Sequence, residues 1–409
     1  MEKKLGFGCM RLPMIGDEVD LEEFQKMVDY SMKYGFNYFD TAHGYVKQKS
    51  ELALKNCLTS KYDRNSYILT NKLSVHFFNK EEQIRPLFEQ QLKVCGVEYF
   101  DYYLMHAQDK AIYQYFQECN AYKIVQELKK EGKIKHMGIS FHDKADVLNV
   151  ILKEHPEIEI VQIQLNYKDY EDASVQSRAV YEVCRKYNKP VLIMEPVKGG
   201  GLVNLPNQAK AVFDELHGGS YANYAIRFAA SLDGVYKVLS GMSNMEQLKD
   251  NISYMKDFQP LNKKEYEAID KVKNILDSLG GIDCTACCYC VDGCPKKILI
   301  PDLFACYNAK VQFNDWNSDY YYDVHTKAYG KASDCTGCKQ CEKICPQHLT
   351  VTKYLKEIIY VFLTIFLYLL KCPQSLILSA LRAFFFYGKP HISRSIFLYF
   401  RYQAWLKSW

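Results

Sequence analysis

The sequence predicts an α/β chain: a (β/α)8 TIM barrel, then a small cysteine-rich domain, then an apolar, basic helical tail. Three observations carry this. Up to about residue 280, short apolar runs alternate with longer segments of helical period. Eight such strand candidates occur, and eight is the number at which a parallel sheet closes into a barrel. Composition then shifts twice: cysteines crowd in after Gly280, and acidic residues cease after Glu357. The expected domains are 1–279, 280–352 and 353–409.

Taken in order, the strand candidates are Leu5–Met10, Asn37–Ala42, Tyr67–Leu73, Tyr102–His106, Lys135–Ser140, Val161–Asn166, Val191–Glu195 and Val235–Gly241. Between them lie helical patterns at Leu21–Tyr34, Glu81–Cys95, Tyr122–Glu131, Ala145–Glu154, Val175–Tyr187 and Tyr221–Ser231. A doubly wound open sheet would open with G-x-G-x-x-G after its first strand. Here Gly6-Phe-Gly8 is followed by Met10-Arg11, without the third glycine and its helix, which favours the barrel.

Composition narrows the class. The chain has 409 residues, 48% hydrophobic and 24% charged, the profile of a globular protein. Its net charge of +4 is too small to argue for nucleic acid. The start, Met1-Glu-Lys-Lys-Leu-Gly-Phe-Gly, lacks the apolar core of a secretory signal. Outside the cysteine-rich runs, Cys9, Cys57, Cys95, Cys119, Cys184, Cys288, Cys306 and Cys372 are scattered singly. That pattern fits small apolar side chains in a reduced cytoplasm.

The other eight cysteines form two copies of one spacing. They are Cys284-x2-Cys287-x2-Cys290-x3-Cys294-Pro295 and Cys335-x2-Cys338-x2-Cys341-x3-Cys345-Pro346. This is the bacterial ferredoxin run for [4Fe–4S] clusters, in which the fourth Cys of each run ligates the other cluster. Zinc sites would need only C-x2-C pairs. Two clusters and a ferredoxin-like domain are therefore expected, and with one-electron centres comes the expectation of a redox partner protein. Between the runs lies a 40-residue spacer rich in Tyr, Asn and Asp.

In barrel enzymes the reacting groups sit at the C-terminal strand ends. Those ends carry Asp40, with Tyr45 just beyond it, then Lys72 and His106. Their contexts are Asp40-Thr-Ala-His-Gly-Tyr45, Thr70-Asn-Lys72-Leu and Leu104-Met-His106. With these, with Leu5-Gly-Phe-Gly-Cys-Met-Arg-Leu-Pro13, Gly138-Ile-Ser-Phe-His142 and Met194-Glu-Pro-Val-Lys-Gly-Gly200, and with both cysteine runs, the chain resembles the aldo-keto reductases. The likeness is to the branch with a C-terminal ferredoxin-like extension, over about residues 1–350.

The resemblance implies an NAD(P)H-dependent interconversion of a small carbonyl and an alcohol. Tyr45 would be the general acid/base. Lys72 would lower its pKa, Asp40 would hold Lys72 charged and aimed, and His106 would donate to the carbonyl oxygen. By the same likeness Ser140 and Gln162 hydrogen-bond the nicotinamide carboxamide. The usual Asn after that Ser is Phe141, and Met194 stands where an aromatic usually stacks. Gly199, Gly200 and Gly201 would approach the pyrophosphate. Gly241, Ser243, Gln247 and Asn251 fall in the adenosine-ribose loop. NADP-preferring members often place Lys and Arg where this chain has Gly241 and Gln247, so NADP and NAD both stay open. A second reading also stays open: an iron–sulfur electron-transfer or scaffold protein on a barrel with vestigial reductase activity.

In the tail, Ile358–Leu370 is thirteen residues without a charge, followed by six basic residues and no acidic one. That run is shorter than the ~20 residues of a spanning helix. It fits either peripheral association with a membrane face or a helical cap packed on the fold.

Overall fold

The computed structural model describes residues 3–371 apart from 173–174, 283, 285–287, 314–316, 328 and 346–348. The expectation for Cys287 and most of that for the tail, residues 372–409, thus lie outside the described residues.

The described strands are β1 (Leu5–Gly8), β2 (Met14–Ile15), β3 (Glu18–Val19), β4 (Tyr38–Asp40), β5 (Ile68–Leu73), β6 (Phe100–Gln108), β7 (Ile134–Phe141), β8 (Ile160–Gln164), β9 (Val191–Met194) and β10 (Val235–Ser240). All but β2 and β3 form one closed barrel of parallel strands, with β1 completing the ring against β4 and β10. The expected barrel is present. The antiparallel β2–β3 hairpin is an addition that two-residue strands give no periodicity to announce.

Why these segments pair is visible in their burial. Tyr38, Leu104, Ile160, Leu192 and Leu239 point into the barrel and fill it. That layer is tight: a Cβ on Gly138 would lie 2.5 Å from the Ile160 carbonyl oxygen and 2.7 Å from Leu104 Cδ2. The barrel is therefore a packed core, and only its mouth is left for chemistry. Outside it, helices bury one stripe each. Leu21–Lys33 buries Phe24, Met27, Val28 and Ser31, at helical spacing, and starts where the Asp20 side chain accepts from Glu23 N.

By contacts the chain divides into two units, Met1–Cys287 with Asn308–Trp316, and Cys288–Tyr307 with Asn317–Trp409. The spacer between the cysteine runs, which shows no clear period, is helical at Ile300–Phe313 and Asn317–Lys327. In the second unit the helix Val351–Lys371 buries Val351, Leu355 and Ile358 on one face. Tyr354 meets Phe304 edge-on, and Phe362 stacks on Tyr322 at 4.4 Å between ring centroids. The start of the uncharged run is thus packed in its own unit. Among the described residues no helix is long and apolar enough to cross a membrane.

Candidate active site

Asp40 ends β4, Lys72 is the penultimate residue of β5, and His106 lies toward the C-terminal end of β6. Adjacent parallel strands thus deliver three of the four expected groups to one rim, and the loop after β4 brings in Tyr45. Lys72 is wholly buried and Asp40 nearly so. The Lys72 ammonium donates to Asp40 Oδ1 at 2.5 Å and to the Thr41 carbonyl oxygen at 2.8 Å, and lies 4.8 Å from the centroid of the Tyr45 ring. Burial opposes the Lys72 charge, but Asp40 and Tyr45 outweigh it and hold its pKa above the ordinary value.

Tyr45 departs from expectation in its balance. Burial is the largest influence and raises its pKa; Lys72 pulls the other way without reversing it. Lys72 does act in the expected sense, but desolvation of the phenolate costs more than one nearby cation returns. The resting group is therefore a phenol, which is the form that can give a proton.

His106 meets Tyr45 edge-to-face, with ring centroids 5.9 Å apart. Burial, then Lys72, His142 and His76, push its pKa down to about 3, so its imidazole is neutral. Its Nδ1 lies 2.6 Å from Ser74 Oγ. With Ser74 donating, the remaining proton sits on Nε2, the tautomer that can donate to a substrate oxygen. Ser74 was not singled out from sequence. It follows Lys72 by two residues, so strand alternation was the available signal.

The expected cofactor residues divide. Ser140 and Gln162 are register partners on β7 and β8, both buried at the same rim. Ser140 Oγ accepts from Ala107 N at 2.7 Å, and Gln162 Nε2 donates to Asp40 Oδ2 at 3.2 Å. Met194 ends β9 and is half-buried. Gly199 and Gly200 have φ of 63° and 103°, the left-handed backbone that suits glycine and lets main-chain N–H groups face a phosphate. Gly201 has an ordinary φ of −58°.

Beyond β10, the side chains of Ser243, Gln247 and Asn251 bond within the protein. Ser243 Oγ donates to the Arg11 carbonyl oxygen, and Gln247 Oε1 accepts from Ser243 N. Asn251 is buried between Ser240 Oγ and the Tyr254 hydroxyl, so it braces this loop from behind. Sequence reading missed Arg11. Its guanidinium donates to the Gly199 carbonyl oxygen at 3.0 Å, and its aliphatic stem passes Gly241. An exposed cation thus spans the two loops expected at the cofactor phosphates, and its place just after β1 was the signal.

In the second unit, Cys335, Cys338 and Cys341 line one cavity together with Cys294 from the other run. Cys290 and Cys345 lie in the same unit and Cys284 in the first. Among the described residues no three His, Cys, Asp or Glu side chains converge on a single-ion site. Cys9, Cys57, Cys95, Cys119, Cys184 and Cys306 are buried, as small apolar side chains would be.

Residues 4–274 match the model of the aldo/keto reductase family, and residues 283–350 match a 4Fe-4S dicluster domain. A probable aldo-keto reductase 1 from Glycine max is 27% identical over 262 residues, covering 60% of this chain and 70% of that protein. An L-galactose dehydrogenase from Arabidopsis thaliana is 23% identical over 294 residues, 67% of this chain and 90% of that protein. Among solved structures, an aldo-keto reductase from Klebsiella pneumoniae in complex with NADPH shares the fold with a TM-score of 0.54. It is 16% identical and covers 67% of this chain and 95% of its own. The matched family accounts for the closed barrel: the chain belongs to the aldo/keto reductase family.

Proposed function

We propose that this chain is an NAD(P)H-dependent oxidoreductase that interconverts a small carbonyl and an alcohol, with Tyr45 as general acid/base. The observation that carries the reading is the buried Lys72 ammonium, which donates to Asp40 and the Thr41 carbonyl oxygen and lies 4.8 Å from the Tyr45 ring centroid. The bound dinucleotide, NADP or NAD, supplies or accepts the hydride. In reduction Tyr45 gives its proton to the carbonyl oxygen as that oxygen becomes an alkoxide, and Lys72 steadies the phenolate left behind. His106, neutral and tethered to Ser74, donates to the same oxygen and orients it. Asp40 keeps Lys72 charged and aimed. Ser140 and Gln162 would hold the carboxamide. The left-handed Gly199 and Gly200, with Arg11, make a cradle that suits a diphosphate.

The eight cysteines of the two runs would hold two [4Fe–4S] clusters, which supply one-electron chemistry and call for a redox partner protein. The cavity lined by Cys294, Cys335, Cys338 and Cys341 supports exchange of the fourth ligand between runs.

The test is Tyr45→Phe in the anaerobically reconstituted full chain, assayed over a panel of carbonyls and alcohols with NADPH and NADH. Turnover should fall by about 10²–10⁴-fold, while dinucleotide affinity stays near wild type. Wild-type rates in Tyr45→Phe would overturn the assignment.

A further inference from the structure

Tyr45 heads a backbone run that needs an explanation. Val46, Lys47 and Gln48 all have positive φ, at 51°, 53° and 68°. None is glycine, and Val46 is β-branched, a residue type that tolerates the left-handed region badly. Such strain persists only where the surroundings over-determine it. On the solvent side the loop has Lys47 paired with Asp17 and Lys49 with Glu18, exposed contacts of little weight.

The buried side is different. Glu51, in the helix Ser50–Leu54, is 1% exposed, and both its carboxylate oxygens are engaged. Oε2 lies 2.7 Å from His43 Nδ1, and Oε1 accepts from Asn71 Nδ2 at 2.7 Å. His43 belongs to the loop that carries Tyr45, and its ring sits edge-on to Phe77 at 4.6 Å. Asn71 belongs to β5, directly before Lys72. Its Oδ1 accepts from Lys72 N at 2.8 Å. Gln91 donates to both Asn71 Oδ1 and the Lys72 carbonyl oxygen, and the Tyr103 hydroxyl donates to Gln91 Oε1. Asn71 and Gln91 are wholly buried. None of these side chains has a part in the chemistry above. A chain of buried polar groups with every member satisfied rigidifies what it touches.

We propose that Glu51 is a positioning residue. Its carboxylate ties the loop bearing Tyr45, through His43, to the strand bearing Lys72, through Asn71, and so fixes phenol and ammonium at one separation. This rests on the reading of Tyr45 and Lys72 as the acid–base pair.

Glu51→Gln keeps the size but sets a donor where one of two acceptors stood, so one arm of the tie is lost. His43→Ala cuts the loop arm alone and serves where the first variant fails to fold. Each should lower kcat by about 100-fold, the cost of a misplaced reacting group, with KM and NADPH affinity within about twofold of wild type. The double variant should be no worse than the poorer single one, because both break one link. A lowered melting temperature with unchanged kcat would make the chain of groups merely structural and overturn the proposal.

If wild-type protein turned over no carbonyl or alcohol, the reductase reading would fail by itself. Fluorotyrosine labelling then decides the tie separately, with the Tyr45 resonance identified by its loss in Tyr45→Phe. That resonance should shift or split in Glu51→Gln and in His43→Ala, and hold still in the surface variant Glu22→Gln. A resonance unmoved in both would overturn the tie.

Discussion

Lys72 and His106 are cations by type, and burial disfavours the charge on both, so their partners decide the outcome. Lys72 has a carboxylate at 2.5 Å and keeps its proton, whereas His106 has a hydroxyl partner and faces Lys72, so it loses its own. The difference sets a pH dependence. His106 titrates at about 3 when folded and near 6.5 when exposed. Between those values the unfolded chain binds the extra proton, so stability should rise with pH across that window and gain nothing further above it. The rate of carbonyl reduction should show no histidine limb from His106 between about pH 5 and 8. It should fall only in the alkaline range, above the ordinary phenol value near 10, because burial raises Tyr45. Urea titrations and a pH–rate profile check both statements. A rate limb near pH 6.5 abolished by His106→Ala would contradict the neutral imidazole.

The strands were legible because a parallel strand buried on both faces reads as a short apolar run. Candidates such as Tyr67–Leu73 and Val235–Gly241 differ from β5 and β10 by one residue at an end. What patterning does not encode is a break in register. β6 pairs regularly with β7 as far as Met105–Ile139 and resumes at Gln108–Phe141. Within the break Ala107 takes φ of 55°, and its N–H is held by Ser140 Oγ. Bulges of this kind re-aim a side chain, and here the one beside it is His106. A left-handed alanine costs about 1–2 kcal/mol, and glycine's extra chain freedom costs about 0.5–1 kcal/mol. Ala107→Gly should therefore stabilise the folded chain by up to about 1 kcal/mol, measured by urea unfolding. A loss of stability would mean that the methyl group's packing outweighs the dihedral. The turn after Tyr45 was hidden for the same reason. Val46-Lys-Gln48 contains no Gly, Asn or Asp to mark a positive φ.

At the scale of the whole molecule, order along the chain was easier to read than connection across it. Cysteine spacing announces clusters because three thiolates must converge from one short loop, and that constraint is local. Which run supplies the fourth thiolate is not local, and the helix-forming spacer between the runs shows no period that would reveal it. The cavity lined by Cys335, Cys338 and Cys341 includes Cys294, which lies 41 residues before the first of them. A thiolate that completes a cluster from outside its run has a distinct signature on removal. Cys294→Ser sits in the first run, yet it should strip or convert the cluster of the second. Iron in the reconstituted full chain should fall from about eight per chain to about four, or to about seven where the second cluster survives as a three-iron form. Electron paramagnetic resonance separates the two results. Cys341→Ser should give the same spectrum if, as proposed, both cysteines serve one cluster. Loss confined to a different cluster from that in Cys341→Ser would show that each run completes its own.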